Sequence, residues 1–224
     1  MKSLKNWFLV LSVLSCFGCS SPVHEDGRGC AFVSDSIQYR VEFMSEGCVR
    51  ILSFPEGDTL VTKRLVVDSQ KPAFKDYKWK DTGQQLIFST RELSVAFDKE
   101  DAAFTFQEVS TGKLLLKEKE AKKARHFKRS VTGGEQCLEV TQRFVPTDDE
   151  AIYGLGQYQN GIMNYRGKSV LLLQANMDIV NPFLISTNGY GILWDNYSST
   201  KFEDTKEGYS FTSEVGDASD YYFV

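Results

Sequence analysis

The residue types able to hold a metal or to run thiol chemistry are few, five cysteines and two histidines in 224 residues. Cys16 and Cys19 form a C-x-x-C, the spacing of redox and zinc sites. No second pair follows, and His24 and His126 offer no ligand spacing, so neither a metal nor a redox centre is expected. The acidic neighbours Glu100-Asp101 and Asp148-Asp149 are raw material for proton transfer, but each reads as loop solvation. A different chemistry gathers in the last third. Tyr153-Gly154-Leu155-Gly156-Gln157-Tyr158, Asn160-Gly161, Asn181-Pro182-Phe183, Asn188-Gly189-Tyr190-Gly191 and Trp194-Asp195-Asn196-Tyr197 mix glycines, amides and aromatics. Amides donate and accept neutral hydrogen bonds, and aromatic faces take apolar ring surface, which together equip a carbohydrate-facing surface. Ordinary β-turn chemistry uses the same residues, and composition alone does not separate the two.

Such groups need a scaffold, and the hydropathy period supplies one. Ile37, Tyr39, Val41 and Phe43 alternate with Gln38, Arg40 and Glu42, which predicts a strand with one buried and one wet face. The pattern recurs at Val61-Lys63-Leu65-Val67, at Leu86 and Phe88, at Leu93-Val95-Phe97, at Phe104 and Phe106, at Leu114 and Leu116, and at Leu138 and Val140. Turn signals such as Glu56-Gly57-Asp58, Thr82-Gly83, Thr111-Gly112 and Gly133-Gly134 separate these runs. Many short strands at this spacing predict an all-β sandwich or barrel. Lys117 to Arg125 lacks an apolar stripe and reads as a solvated loop or strand end.

Composition sets outer limits. With 42% hydrophobic and 25% charged residues the chain is globular rather than disordered, and a formal charge of −4 gives no field for nucleic-acid phosphates. The apolar run from Trp7 to Leu14 is well short of the roughly 20 residues a spanning helix needs. It follows Lys2 and Lys5 and leads into small residues before a cysteine, the order of a secretory signal. Val13-Leu14-Ser15-Cys16 resembles a bacterial lipobox, with Cys16 the expected acylated residue and Cys19 the competing position. The expected organisation is a signal peptide over 1–15, a polar tether over 16–30 and one domain over 31–224. Cys30, Cys48 and Cys137 then lie in a disulfide-permissive compartment, where buried thiols are the default and their pairing stays open.

Five strings in order carry a family resemblance. They are Ile152-Tyr153-Gly154-Leu155-Gly156-Gln157, Leu171-Leu172-Leu173-Gln174-Ala175-Asn176, Asn181-Pro182-Phe183-Leu184-Ile185-Ser186, Gly189-Tyr190-Gly191-Ile192-Leu193-Trp194-Asp195-Asn196-Tyr197-Ser198 and Asp220-Tyr221-Tyr222-Phe223-Val224. Their order resembles glycoside hydrolase family 31, which includes α-glucosidases and α-xylosidases. The stretch is similar to the galactose-mutarotase-like β-sandwich that precedes the family's catalytic barrel. The lipoprotein start together with Trp194-Asp195-Asn196-Tyr197 is similar to the α-xylosidase branch of Bacteroidetes. Motifs carry the resemblance from about 145 to 224, and from 31 to 145 it rests on the compatible strand pattern.

The resemblance implies a galactose-mutarotase-like β-sandwich of many short antiparallel strands, cut before a (β/α)₈ barrel of about 250 residues. Retaining glycosidases use two carboxylates about 5 Å apart, and in the family both sit on the barrel. The family's Trp-x-Asp-Met-Asn-Glu type of string does not occur in this chain, so no catalytic residue is assigned and the chain is expected to be inactive alone. The family's sandwich loop over the barrel mouth corresponds to Gln174 to Pro182, which makes Gln174, Asn176 and Asn181 the candidate substrate-binding residues. Gln157 stands where many members have Glu, which puts any charge-dependent role there in doubt. The expected partner is an oligosaccharide or glycoside met through the barrel, with membrane contact by lipid anchor only, no cofactor, no metal and no nucleic acid. The expected location is the periplasm or outer membrane of a Gram-negative bacterium. A stand-alone surface carbohydrate-binding lipoprotein is the alternative. A mutarotase, the third reading, needs a histidine and a glutamate on the sandwich face, and neither histidine lies near the motif region.

Overall fold

The computed structural model describes residues 22–60, 65–68, 73–120 and 123–224. The signal, the proposed lipid site Cys16, and Val61 and Lys63 of one expected strand lie outside these residues. In chain order the strands are β1 (His24–Glu25), β2 (Cys30–Ser34), β3 (Ile37–Phe43), β4 (Val49–Pro55), β5 (Lys78–Asp81) and β6 (Gln85–Ser89). Next come β7 (Leu93–Asp98), β8 (Ala103–Glu108), β9 (Leu114–Glu118), β10 (Arg125–Thr132), β11 (Glu135–Val145) and β12 (Ile152–Gln157). The last six are β13 (Ser169–Leu172), β14 (Ile179–Ser186), β15 (Tyr190–Trp194), β16 (Thr200–Thr205), β17 (Gly208–Gly216) and β18 (Ser219–Phe223). No helix occurs among the described residues.

They form two antiparallel sheets. The first runs β1-β2-β3-β4-β18-β15-β14-β12 and the second β13-β16-β17-β11-β9-β8-β7-β6-β5, with β10 paired to β11. Alternation does what the sequence predicts. In β7, Leu93, Val95 and Phe97 are buried while the residues between them are partly exposed, and Val95 sits opposite Phe88 of β6 and Phe106 of β8. Turn chemistry fixes the registers. Asp35 and Ser36, at φ 52° and 59°, close the two-residue hairpin between Ser34 and Ile37, as a type I′ turn requires. The facing sheets meet through aromatics. Phe106 stacks on Phe223 at 4.4 Å and Phe32 meets Phe97 edge-on at 4.8 Å, each ring contributing about 1.5–3 kcal/mol by leaving water.

β18 is fully buried and joins the halves of the first sheet, pairing β4 on one side and β15 on the other. Its side chains alternate between two environments. Tyr221 and Phe223 enter the inter-sheet core, while Asp220 turns to the opposite face and accepts Arg50 Nε at 2.7 Å. Arg50 also donates to Glu42 at 3.0 Å, so the buried guanidinium is shared by two carboxylates.

Three sequence expectations change. Leu65 and Val66 are exposed bends rather than strand, at 73% and 61% exposure, and the Leu65 amide is held by the Tyr197 hydroxyl at 2.8 Å instead of by a neighbouring strand. The sheet also begins inside the stretch expected to be tether. His24 and Glu25 pair with Ala31 and Cys30, and the Asp26 carboxylate accepts from Arg40 and from the amides of Arg28 and Gly29. The Lys117 to Arg125 stretch is solvated in part only. Glu118 and Arg125 are buried against each other between the sheets, because Glu118 continues the inward face of Leu116 and finds a guanidinium there. Glu118 further accepts from Gln142, Tyr221 and the Phe104 amide, each at 2.8 Å, so the carboxylate is fully satisfied. Cys30, Cys48 and Cys137 form no disulfide among the described residues.

Candidate functional site

The glycine–aromatic region builds one wall of a cavity at an end of the sandwich. β12 contributes first. Gly154, Leu155 and Gly156 all have positive φ, at 102°, 65° and 118°, and they form a bulge against β14. The bulge points Leu155 into the core and brings the backbone very close to β14. A Cβ on Gly156 would lie 2.1 Å from the Ile179 carbonyl oxygen and 2.9 Å from the Asn181 amide, so only glycine permits this approach. The Gly156 backbone thereby sets where Asn181 enters the site.

Ahead of β14, the Gln174 side chain fastens its own loop. Its amide nitrogen donates to the Asp178 carbonyl at 2.9 Å and its oxygen accepts from the Val180 amide at 3.1 Å. Gln174 and Asn181 both line a cavity of about 370 Å³. Asn176 is exposed on the loop between them and stands outside the cavity lining. The structure therefore brings two of the three expected amides together.

The opposite wall comes from the end of β15. Trp194 is buried, stacks on Phe211 at 5.5 Å and donates Nε1 to the Ser213 hydroxyl at 2.9 Å, which pins the strand where the chain leaves the sheet. Asp195 follows. It is 3% exposed, its Oδ1 accepts the Tyr197 hydroxyl at 2.7 Å, and its Oδ2 is buried with no hydrogen-bond partner. Asn196 Oδ1 accepts the Ser198 amide at 2.8 Å, an Asx turn that returns the chain toward β16. Tyr197 is half exposed, and burial, with the bond to Asp195 adding to it, raises its phenol above the ordinary tyrosine range. Asp195 and Tyr197 are the functional candidates that the reading of the sequence missed. Both stand in the string that carries the family resemblance, but nothing in the string says that one carboxylate oxygen goes uncommitted.

Among the described residues the cavity is lined by three amides, Gln174, Asn181 and Asn196, by the carboxylate of Asp195 and by hydroxyls from Tyr197 to Thr200 over apolar walls. Amides and hydroxyls over apolar walls suit a ligand that carries hydroxyl groups. Asp195 is the lone carboxylate of the lining among the described residues, and a glycosidic bond is split by two working together. Among the described residues no group of three His, Cys, Asp or Glu is placed to hold a metal.

Comparison with known proteins places the fold in a family. The sequence profile of the glycosyl hydrolase 31 N-terminal galactose mutarotase-like domain matches residues 38–203. An α-xylosidase of Saccharolobus solfataricus is 31% identical over 204 residues, covering 84% of this chain and 26% of that protein. The crystal structure of a family 31 α-xylosidase from a soil metagenome, complexed with xylose, superposes with a TM-score of 0.76 at 22% identity, over 91% of this chain and 32% of that one. A family 31 α-xylosidase of Xanthomonas citri gives a TM-score of 0.69 at 30% identity, over 82% of this chain and 20% of its own. The chain spans less than a third of the length of these relatives.

Proposed function

The chain belongs to glycoside hydrolase family 31 through its N-terminal galactose-mutarotase-like domain, and from that premise we propose that it is the carbohydrate-associated, non-catalytic front of a retaining α-glycosidase acting on α-xylosides or α-glucosides. The observation that carries this reading is the cavity bounded by Gln174, Asn181 and Asp195, which offers amides and hydroxyls and, among the described residues, a single carboxylate. In the complete enzyme this wall holds sugar hydroxyls while a carboxylate pair supplied elsewhere performs the displacement. The α-xylosidase relatives support xylose as the unit recognised.

The test pairs binding with turnover. Titrating the chain with methyl α-xyloside is expected to give weak saturable binding, monitored by intrinsic fluorescence, that Asn181→Ala and Asp195→Asn each weaken. An aryl α-xyloside is expected to stay intact. Hydrolysis that disappears on replacing a carboxylate of this chain refutes the non-catalytic reading, and binding indifferent to both substitutions refutes the site. Export and acylation at Cys16 belong to the same proposal. Metabolic labelling with a fatty acid is expected to vanish in Cys16→Ser and to persist in Cys19→Ser, and the reverse result moves the anchor to Cys19.

A further inference from the structure

Asn-Gly occurs twice in the chain, at Asn160-Gly161 and Asn188-Gly189, and both pairs stand in turns. In this dipeptide the backbone nitrogen of glycine can attack the preceding side-chain amide, because no Cβ crowds the attacking atom. The two pairs are held very differently. Asn160 and Gly161 are exposed in the turn that follows β12. The Ile162 amide donates to Asn160 Oδ1 at 2.9 Å, which polarises the carbonyl and places a donor where negative charge gathers during the attack. The Asn160 Nδ2 group and the Gly161 amide have no hydrogen-bond partner among the described residues, so leaving group and nucleophile are both uncommitted. A Cβ built at Gly161 meets nothing within 4 Å, so the approach is open.

Asn188 sits half-buried in the turn between β14 and β15. Its Nδ2 donates to the Leu115 carbonyl at 2.7 Å and to the Leu114 carbonyl at 3.2 Å, while the Gly189 amide donates to the Ser186 carbonyl at 3.1 Å. Here leaving group and nucleophile are both tied down. Three bonds must open before reaction, each slowing it about fivefold and all three about a hundredfold. We infer that Asn160 is a site of spontaneous deamidation and that the fold shields Asn188 from the same reaction, whatever the Asp195 cavity binds. The Gly161 nitrogen gives its proton to solvent and bonds to Asn160 Cγ, the Cγ–Nδ2 bond breaks, and ammonia departs with a proton returned from solvent. A succinimide remains, and water opens it at either carbonyl to leave aspartate or isoaspartate at position 160. The turn is tied back to β12 at Ile152, whose amide donates to Asn164 Oδ1 at 3.1 Å and whose carbonyl accepts the Tyr165 amide at 2.8 Å. The new charge, and in isoaspartate one extra backbone atom, therefore falls between β12 and this tie.

Mass spectrometry reads the two sites separately. The folded chain is incubated at neutral pH, sampled over weeks and digested with trypsin, which releases Asn160 in the peptide 144–166 and Asn188 in the peptide 169–201. The first peptide is expected to gain the mass of an amide-to-acid exchange, localised to residue 160 by fragmentation, and to become a substrate for isoaspartyl methyltransferase. The second is expected to keep its mass. In urea, conversion at Asn188 is expected to quicken about a hundredfold, and conversion at Asn160 by far less. Asn160→Gln cannot close the five-membered ring readily and is expected to silence position 160 while leaving Asn188 as it was. Equal rates at the two positions in the folded chain, or a peptide 144–166 that keeps its mass while a urea-unfolded sample converts, overturns the proposal.

Discussion

Replacing Gly156 with alanine tests whether the bulge in β12 sets the position of the loop and strand that line the cavity. Two costs add. An L-residue held at φ 118° is strained by roughly 1–3 kcal/mol, and the new Cβ, 2.1 Å from the Ile179 carbonyl oxygen, forces β12 and β14 apart at about 1–3 kcal/mol more. Gly83 is the control, because its φ is 89° and a Cβ there meets nothing within 4 Å. Gly83→Ala carries backbone strain alone. Both substitutions stiffen the unfolded chain equally, so that effect cancels in the comparison. Gly156→Ala is therefore expected to be less stable than Gly83→Ala by about 1–3 kcal/mol in urea unfolding at unchanged m-value. In thermal melts that is about 2–12 °C for a chain of this size. Because the clash also reaches the Asn181 amide at 2.9 Å, exchange of that amide should quicken and methyl α-xyloside binding should weaken in Gly156→Ala only. Equal stabilities for the two variants, or full sugar affinity in Gly156→Ala, would refute the reasoning.

Two further perturbations test the polar interior. Glu118→Gln leaves the buried Arg125 guanidinium without its counter-charge and is expected to destabilise by about 3–5 kcal/mol in urea titration; a loss under about 1 kcal/mol would mean that the pair is solvated. The side-chain bonds from Arg40 hold the Asp26 carboxyl well below the usual carboxylate range, helped by the Arg28 and Gly29 amides against a smaller opposing effect of burial. A depressed folded-state value contributes stability above about pH 4 that is lost as the pH falls. The urea midpoint of the native chain should therefore drop more steeply on acidification than that of Asp26→Asn, and parallel curves would remove Asp26 from the account.

Much of this architecture was legible in the sequence, because period-two alternation reports directly which residues face a core. Leu93 to Phe97 falls where its pattern places it, as do Tyr39, Val41 and Phe43, although Glu42, expected on the wet face, is buried against Arg50. Alternation fails where an inward position is polar. Glu118 continues the buried face of Leu116, but its partners Arg125, Gln142 and Tyr221 lie up to 103 residues away, so its charge reads as solvent exposure. It fails again at Leu65 and Val66, whose composition suits a strand that no neighbour completes. The site was half visible. The amide types at Gln174, Asn176 and Asn181 are readable, whereas the loop geometry that admits two of them to the cavity and leaves Asn176 outside is not. For Asp195 the decisive fact is an oxygen without a partner, a property of packing that no string of letters contains.

The place of β18 governs how the domain is made. Residues 219–223 come last among the strands described, yet they fill the gap between β4 and β15 at the middle of the first sheet. At ribosomal rates of about 5–20 residues per second, β4 waits about 8–33 s after its own synthesis for this partner. During that interval the open edge of β4, joined near its end by that of β15, exposes a row of unmatched amides and carbonyls, the template for pairing with a neighbouring chain. Nascent chains of this protein therefore carry an open seam until Phe223 has cleared the exit tunnel, and crowding on polysomes or a pause in translation before that point is when aggregation should begin.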